Sequence, residues 1–189
     1  MFYGGAVTIS TVLASSIYDA RGVNIGALVL RLALGVTMIA HGYNHIFGGG
    51  KIEGTAGWFE SLGLRPGKLH AWLASLTELG AGAMLIVGFL NPLAAAGVVG
   101  VMVVALITNH FKNGFFIFRP GEGYEYVANL TLAGLALGAL GPGAWSLDRV
   151  FKIHLVGTQG LIITAIAGIG GALLLLAVFW RPTKEKKEA

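Results

Sequence analysis

NIGALVLRLALGVTMIAHGYNHIF, residues 24–47, is the stretch whose reading decides the fold. Its one full charge, Arg31, sits in an apolar run longer than the roughly 20 residues a helix needs to cross a bilayer. Four more runs of this kind follow, at residues 69–90, 92–110, 124–140 and 157–180. Pro92 suits the first turn of the third, where a missing N–H is no loss. The fourth begins with polar residues. Composition agrees: 55% of the 189 residues are hydrophobic, 12% are charged, and the mean hydropathy is +0.75. A water-facing domain carries roughly 25% charged residues, so most of this surface must meet lipid. The 30 glycines, against 5 prolines, suit helices that approach closely in lipid. The expected fold is all-α and integral to the membrane: a bundle of four transmembrane helices plus a fifth at the C-terminus.

The rest of the chain is organised around these spans. Residues 1–23 have no basic stretch ahead of their apolar part, which Ser15, Ser16 and Asp19 interrupt. They read as an interfacial lead-in and not as a signal peptide. Residues 24–150 make the four-helix core, and residues 151–189 the fifth helix and a basic tail. GTAGWFESLGL, residues 54–64, sets Trp58, Phe59 and Leu62 beside Glu60, the pattern of an amphipathic helix at the membrane surface. GPGAWSLD, residues 141–148, reads as a tight turn with Trp145 at headgroup depth and Ser146 or Asp148 capping a short helix. Basic residues give the orientation. With the tail cytoplasmic, Lys51, Arg65, Lys68, Lys112, Arg119, Arg181, Lys184, Lys186 and Lys187 lie inside, and only Arg21, Arg149 and Lys152 outside. The N-terminus is therefore expected outside and the C-terminus in the cytoplasm. Charges placed between apolar runs also speak against nucleic acid as a partner, despite the net charge of +4. With no cysteine, the chain alone supplies no disulfide, iron–sulfur cluster or covalently attached haem.

The polar residues inside the spans are the candidate functional ones. Arg31, in the outer part of the first span, costs about 2.5–3.5 kcal/mol on insertion scales unless it is paired. At about 100° per residue, Gly35, Met38, Gly42 and His45 share its face, with His41 at the edge. Glu78 lies near the middle of the second span, with Ala71, Ala74 and Gly82 close to its azimuth. An Arg31–Glu78 ion pair is expected, either fixing helix register or serving function. A second group gathers at the inner boundary. His41 and His45 are i, i+4, Asn109 and His110 end the third span ahead of Lys112 and Asn113, and Glu125 and Asn129 are i, i+4 at the start of the fourth. His41, His45, Asn109, His110, Glu125 and Asn129 form a candidate pocket between helices. Histidine and carboxylate suit proton movement and donation to quinone carbonyls. A His-His-Glu set would also suit a divalent metal, and two facing histidines a haem. The spacing does not choose among these; a quinone-like ligand is preferred and no metal site is assigned. His70 and His154 look peripheral and receive no role. In the fifth span Gly160, Thr164, Gly168 and Ala172 form a small-residue ladder, fitted either to the bundle or to a partner subunit.

Taken together these stretches resemble the DoxX family of bacterial membrane proteins. The segments that carry the resemblance are RLALGVTMIAHGYNHIF (31–47), GWFESLGL (57–64), ELGAGAMLIVGFLNPLAA (78–95), NHFKNGFF (109–116), Tyr124-Glu125-Tyr126 and GPGAWSLD (141–148). They cover about residues 24–150 in order. The resemblance implies a four-helix core in the bacterial plasma membrane. It also implies a link to quinone-coupled redox chemistry, because the family is related to the DoxD-type subunit of thiosulfate:quinone oxidoreductase. Some members are similar to partners of superoxide dismutase and a sulfurtransferase in oxidative-stress complexes. The family pattern falls on Arg31, His41, Gly42, Glu78, Gly82, His110, Asn113, Gly114 and Glu125. His45 departs from it, since members often carry Lys there. The fifth span lies outside the core and suggests attachment to another subunit. The expected function is a quinone-linked membrane subunit that takes its electrons from a partner or substrate. The alternative is a non-enzymatic accessory or assembly subunit of a larger membrane redox complex.

Overall fold

The computed structural model describes residues 20–182; the lead-in over residues 1–19 and the charged end of the tail lie outside the described residues. Among those described the fold is all-α. Helix α1 is Ala20–Phe47, so residues 20–23, expected in the lead-in, are already helical. Helix α2 is Lys51–Ser61, α3 is Gly67–Val87 and α4 runs over Asn91–Asn113. Then come α5 (Glu125–Leu140), the single turn α6 (Leu147–Val150) and α7 (Gly157–Phe179). Helices α1, α3, α4 and α7 are each long and apolar enough to cross a membrane. Helix α5 has 16 residues, about 24 Å at 1.5 Å per residue, and falls short of that length. It is the run with the polar start.

The boundaries have local causes. Helix α3 stops at Gly88, whose left-handed conformation (φ 67°) costs glycine little. The Gly88 and Phe89 N–H groups then close back onto the Leu85 and Met84 carbonyls. Helix α4 opens with Pro92 in its first turn, as expected. It loosens to π geometry over Leu106–His110 and tightens over Phe111–Asn113. A second π segment, Ile166–Gly170, interrupts α7. Ser146 caps α6, accepting from the Arg149 N–H at 3.3 Å. Asp148, the other capping candidate, serves a different helix: its carboxylate accepts from the Leu90 and Asn91 N–H groups at the start of α4, at 2.7 and 2.9 Å.

Small residues set the helix spacing. Helices α1 and α3 run antiparallel with Gly35 against Gly82; a Cβ on Gly82 would stand 2.7 Å from the Gly35 carbonyl oxygen. Helix α4 lies at the centre, packed against α3, α5 and α7. Leu34, Met38, Leu85, Val98, Met102 and Leu137 make its main apolar contact zone. The ladder of α7 turns inward. Gly160, Thr164, Gly168 and Ala172 are all buried, Gly168 against Val99 and Ala96, and Thr164 donates to the Pro92 carbonyl at 3.0 Å. Of the two readings of that ladder, packing onto the bundle is the one found. The end of α7 is clasped to the turn between α2 and α3. The Arg181 N–H donates to the Gly63 carbonyl at 2.7 Å, and Trp180 Nε1 to the Leu62 carbonyl at 2.9 Å.

The glycine seam predicts opposite signs for one substitution at two sites. Gly82→Ala should lower stability by about 1–3 kcal/mol through backbone overlap, although alanine is the better helix former. Gly80→Ala, where a Cβ meets nothing within 4 Å, should raise stability by up to about 1 kcal/mol. Reversible unfolding in mixed micelles measures both, and equal shifts would contradict the seam.

Candidate functional site

The expected Arg31–Glu78 pair does not form. Because α1 and α3 are antiparallel, Arg31 stands against Gly88 at the end of α3, about 15 Å along that helix from Glu78. Arg31 is 1% exposed; its Nη2 donates to the Trp145 carbonyl at 2.7 Å, and Asp148 supplies the countercharge. Glu78, 2% exposed, pairs instead with His45, Nδ1 to Oε2 at 3.1 Å. Azimuth alone put Arg31 and His45 on one face; the direction of the partner helix decides which of them meets the carboxylate.

The six polar residues expected at the inner boundary do come to one end of the bundle, but into separate contacts. His41 approaches Tyr126 Oη at 3.5 Å and stacks on its ring. His45 faces Glu78 and meets the Phe59 ring edge-on. Asn109 and His110 lie in the π segment of α4, where His110 Nδ1 donates to the Glu122 carbonyl at 2.9 Å. Asn113 Nδ2 donates to the Asn109, Gly121 and Glu122 carbonyls. Glu125 Oε2 accepts from the Ile117 N–H at 3.2 Å, and Asn129 Nδ2 donates to the Glu125 carbonyl at 2.9 Å. These bonds fold the connection 114–124 over the end of α4. None of the six lines either cavity described below. Among the described residues no three His, Asp or Glu side chains gather as a metal site would need.

The cavity within the bundle lies elsewhere. A cleft of about 330 Å³ opens between α3, α4 and α7. Leu73, Thr77, Leu93, Val101, Val104 and Leu175 wall it, together with Gly97, Gly100, Gly168 and Gly171. Leu73 in α3 and Leu93 in the first turn of α4 are exposed on its rim, so its mouth opens through the apolar outer face of two spans. Phe59, Leu64 and His70 are buried at one end of it. His70, read as peripheral from sequence, is 2% exposed. Its ring donates to the Arg65 main chain, and Phe179 of the C-terminal clasp packs edge-on against it at 5.0 Å. Its Nε2 is buried and has no hydrogen-bond partner. Arg31 Nε and Nη1 and Asn91 Oδ1 are also unpartnered, but of these residues His70 alone lines a cavity. The sequence signal was present: His70, Ala74 and Thr77 share one helix face, and Gly97 and Gly100 one face of the next span. At the other end of the bundle a polar cavity of about 350 Å³ is lined by Asn24, Ser146, Arg149 and His154 among others, which gives His154 its place.

Comparison with known proteins adds the lineage. The DoxX family profile matches residues 26–111. The chain is similar to the inner membrane protein YqjF of Escherichia coli (strain K12), 30% identical over 133 residues that cover 68% of this chain and 94% of that protein. It is also similar to the inner membrane protein YphA of the same organism, 30% identical over 125 residues, 65% of this chain and 87% of that one. No solved structure matches.

A double-mutant cycle separates the two pairings. His45→Ala with Glu78→Gln should show a coupling of about 1–3 kcal/mol in unfolding free energy, whereas Arg31→Met with Glu78→Gln should add within about 0.5 kcal/mol. The reverse pattern would contradict the antiparallel register.

Proposed function

The chain belongs to the DoxX family and is a multi-pass bacterial membrane protein, and on that footing we propose that it serves quinone-coupled redox chemistry as a membrane subunit. It binds a quinone or a similar lipid-soluble ring between α3, α4 and α7. The observation that carries this reading is the cleft: apolar walls, a mouth toward lipid, and one buried ring nitrogen, His70 Nε2, with nothing to bond. Ligand sites of this size, about 300–1,000 Å³, pair apolar walls with a few placed polar groups. The chain's own work is to take the ring out of the bilayer, orient it and exclude water. Electrons come from a partner subunit or substrate. His41, His45, Asn109, His110, Glu125 and Asn129 then act at the end of the bundle, where protons pass between bilayer and water. Lys51, Arg65, Lys68, Lys112 and Arg119 at that end favour the cytoplasm for it. A partner subunit would meet the outer face of α7, where Ile166 and Leu174 are exposed, because the small-residue ladder is engaged inside the bundle.

Protein purified in mild detergent should therefore carry quinone in its organic extract. Gly171→Phe, whose Cβ enters open space at the cleft wall, should reduce that content by about tenfold or more, a loss of roughly 1.4 kcal/mol of affinity, with the unfolding midpoint unchanged. Quinone retained equally in the variant, or absent from the wild type, would contradict the proposal.

A further inference from the structure

We propose that His70 anchors the ligand by accepting a hydrogen bond, so that the cleft takes the hydroxyl-bearing, reduced form of the ring in preference to the oxidised one. The inference rests on the quinone-linked reading and goes further, to the redox form that is bound. It follows from the state of the imidazole. The ring donates a hydrogen bond to the Arg65 main chain, and Nε2 has no partner, so Nδ1 makes that bond. A neutral imidazole carries one N–H; with it committed at Nδ1, Nε2 presents a lone pair. Phe179, edge-on at 5.0 Å, holds the ring in that orientation. The Phe179 carbonyl in turn accepts from the Arg65 N–H at 3.3 Å, so the residue that takes the imidazole proton is itself tied to the clasp.

A quinone oxygen only accepts, and against Nε2 it would set lone pair against lone pair. A hydroquinone hydroxyl donates. A buried site built to bond a hydroxyl discriminates strongly against the analogue that lacks it, because its polar atom is left unpaired. The surroundings fit a ring with a tail. Phe59 and Leu64 close the end beside His70, and the cleft continues away from it past Gly100 and Gly171, where a Cβ at Gly171 would meet open space. Gly168 belongs to the π segment Ile166–Gly170, and such interruptions of a helix occur frequently at functional sites.

The test titrates full-length protein in phosphatidylcholine nanodiscs, under anaerobic conditions, with decylubiquinol and decylubiquinone. Tryptophan fluorescence reads the affinity, and the ¹⁵N resonance of His70 Nε2 reads the contact. The wild type should bind the quinol about tenfold or more tightly than the quinone, and quinol should move the Nε2 resonance. His70→Phe should bind both forms weakly and equally. Equal or reversed preference in the wild type, or a preference that survives His70→Phe, overturns the inference. Should His70→Phe not fold, the resonance decides: bound quinol that leaves it unmoved overturns the inference. Failure of the wild type to bind either form is a different result, and it overturns the quinone-linked reading itself.

Discussion

The hydrocarbon core of a bilayer holds no water, so a polar group inside this bundle must find its partner within the chain or stand at a site meant for something else. That constraint explains most of the long-range connections. The first N–H groups of a helix lack internal acceptors and carry the positive end of its dipole. At α4 the Asp148 carboxylate meets two of them. Asp148 also lies close enough to Arg31 to act as its countercharge, and Arg31 bonds the Trp145 carbonyl. Asn91 donates to the Leu137 carbonyl at 2.9 Å, tying α4 to α5. Thr164 ties α7 to the first turn of α4. One end of the bundle is thus a connected polar network.

The same solvent removes the hydrophobic drive between helices, because lipid tails are as apolar as leucine. Association then depends on close approach, and glycine supplies it. Where two glycines face each other, as Gly35 and Gly82 do, the backbones touch and the seam is closed. Where Gly171 borders open space, with no side chain to fill it, a slot remains. One compositional feature therefore both tightens the bundle and leaves it a cleft.

Much of the fold was legible in the sequence, because hydropathy and span length are local properties. The five apolar helices, the cap at Ser146, the small-residue face of α3 and the ladder of α7 all follow from local pattern. The partner of Glu78 did not, because helical periodicity gives the direction of a side chain and says nothing of its height against a neighbour. The polar residues expected at the inner boundary do gather at one end of the bundle. Of these, His110 and Glu125 bond the connection 114–124, which no periodicity describes. His70 was missed for a third reason. It follows Lys68 at the start of a span, where an imidazole would ordinarily reach water. Its burial comes from Phe179 and the clasp at the far end of the chain, a contact that no local window contains.

What unites these features is the claim that the lipid-facing cleft around His70 is a ligand site, while the buried charges elsewhere hold the bundle together. A high-resolution density map of the protein in its native lipid tests this most directly. The account predicts a planar ring in the cleft with a polar atom about 3 Å from His70 Nε2. A cleft closed by movement of α7, or one holding only acyl chains with no polar atom near that nitrogen, would contradict it.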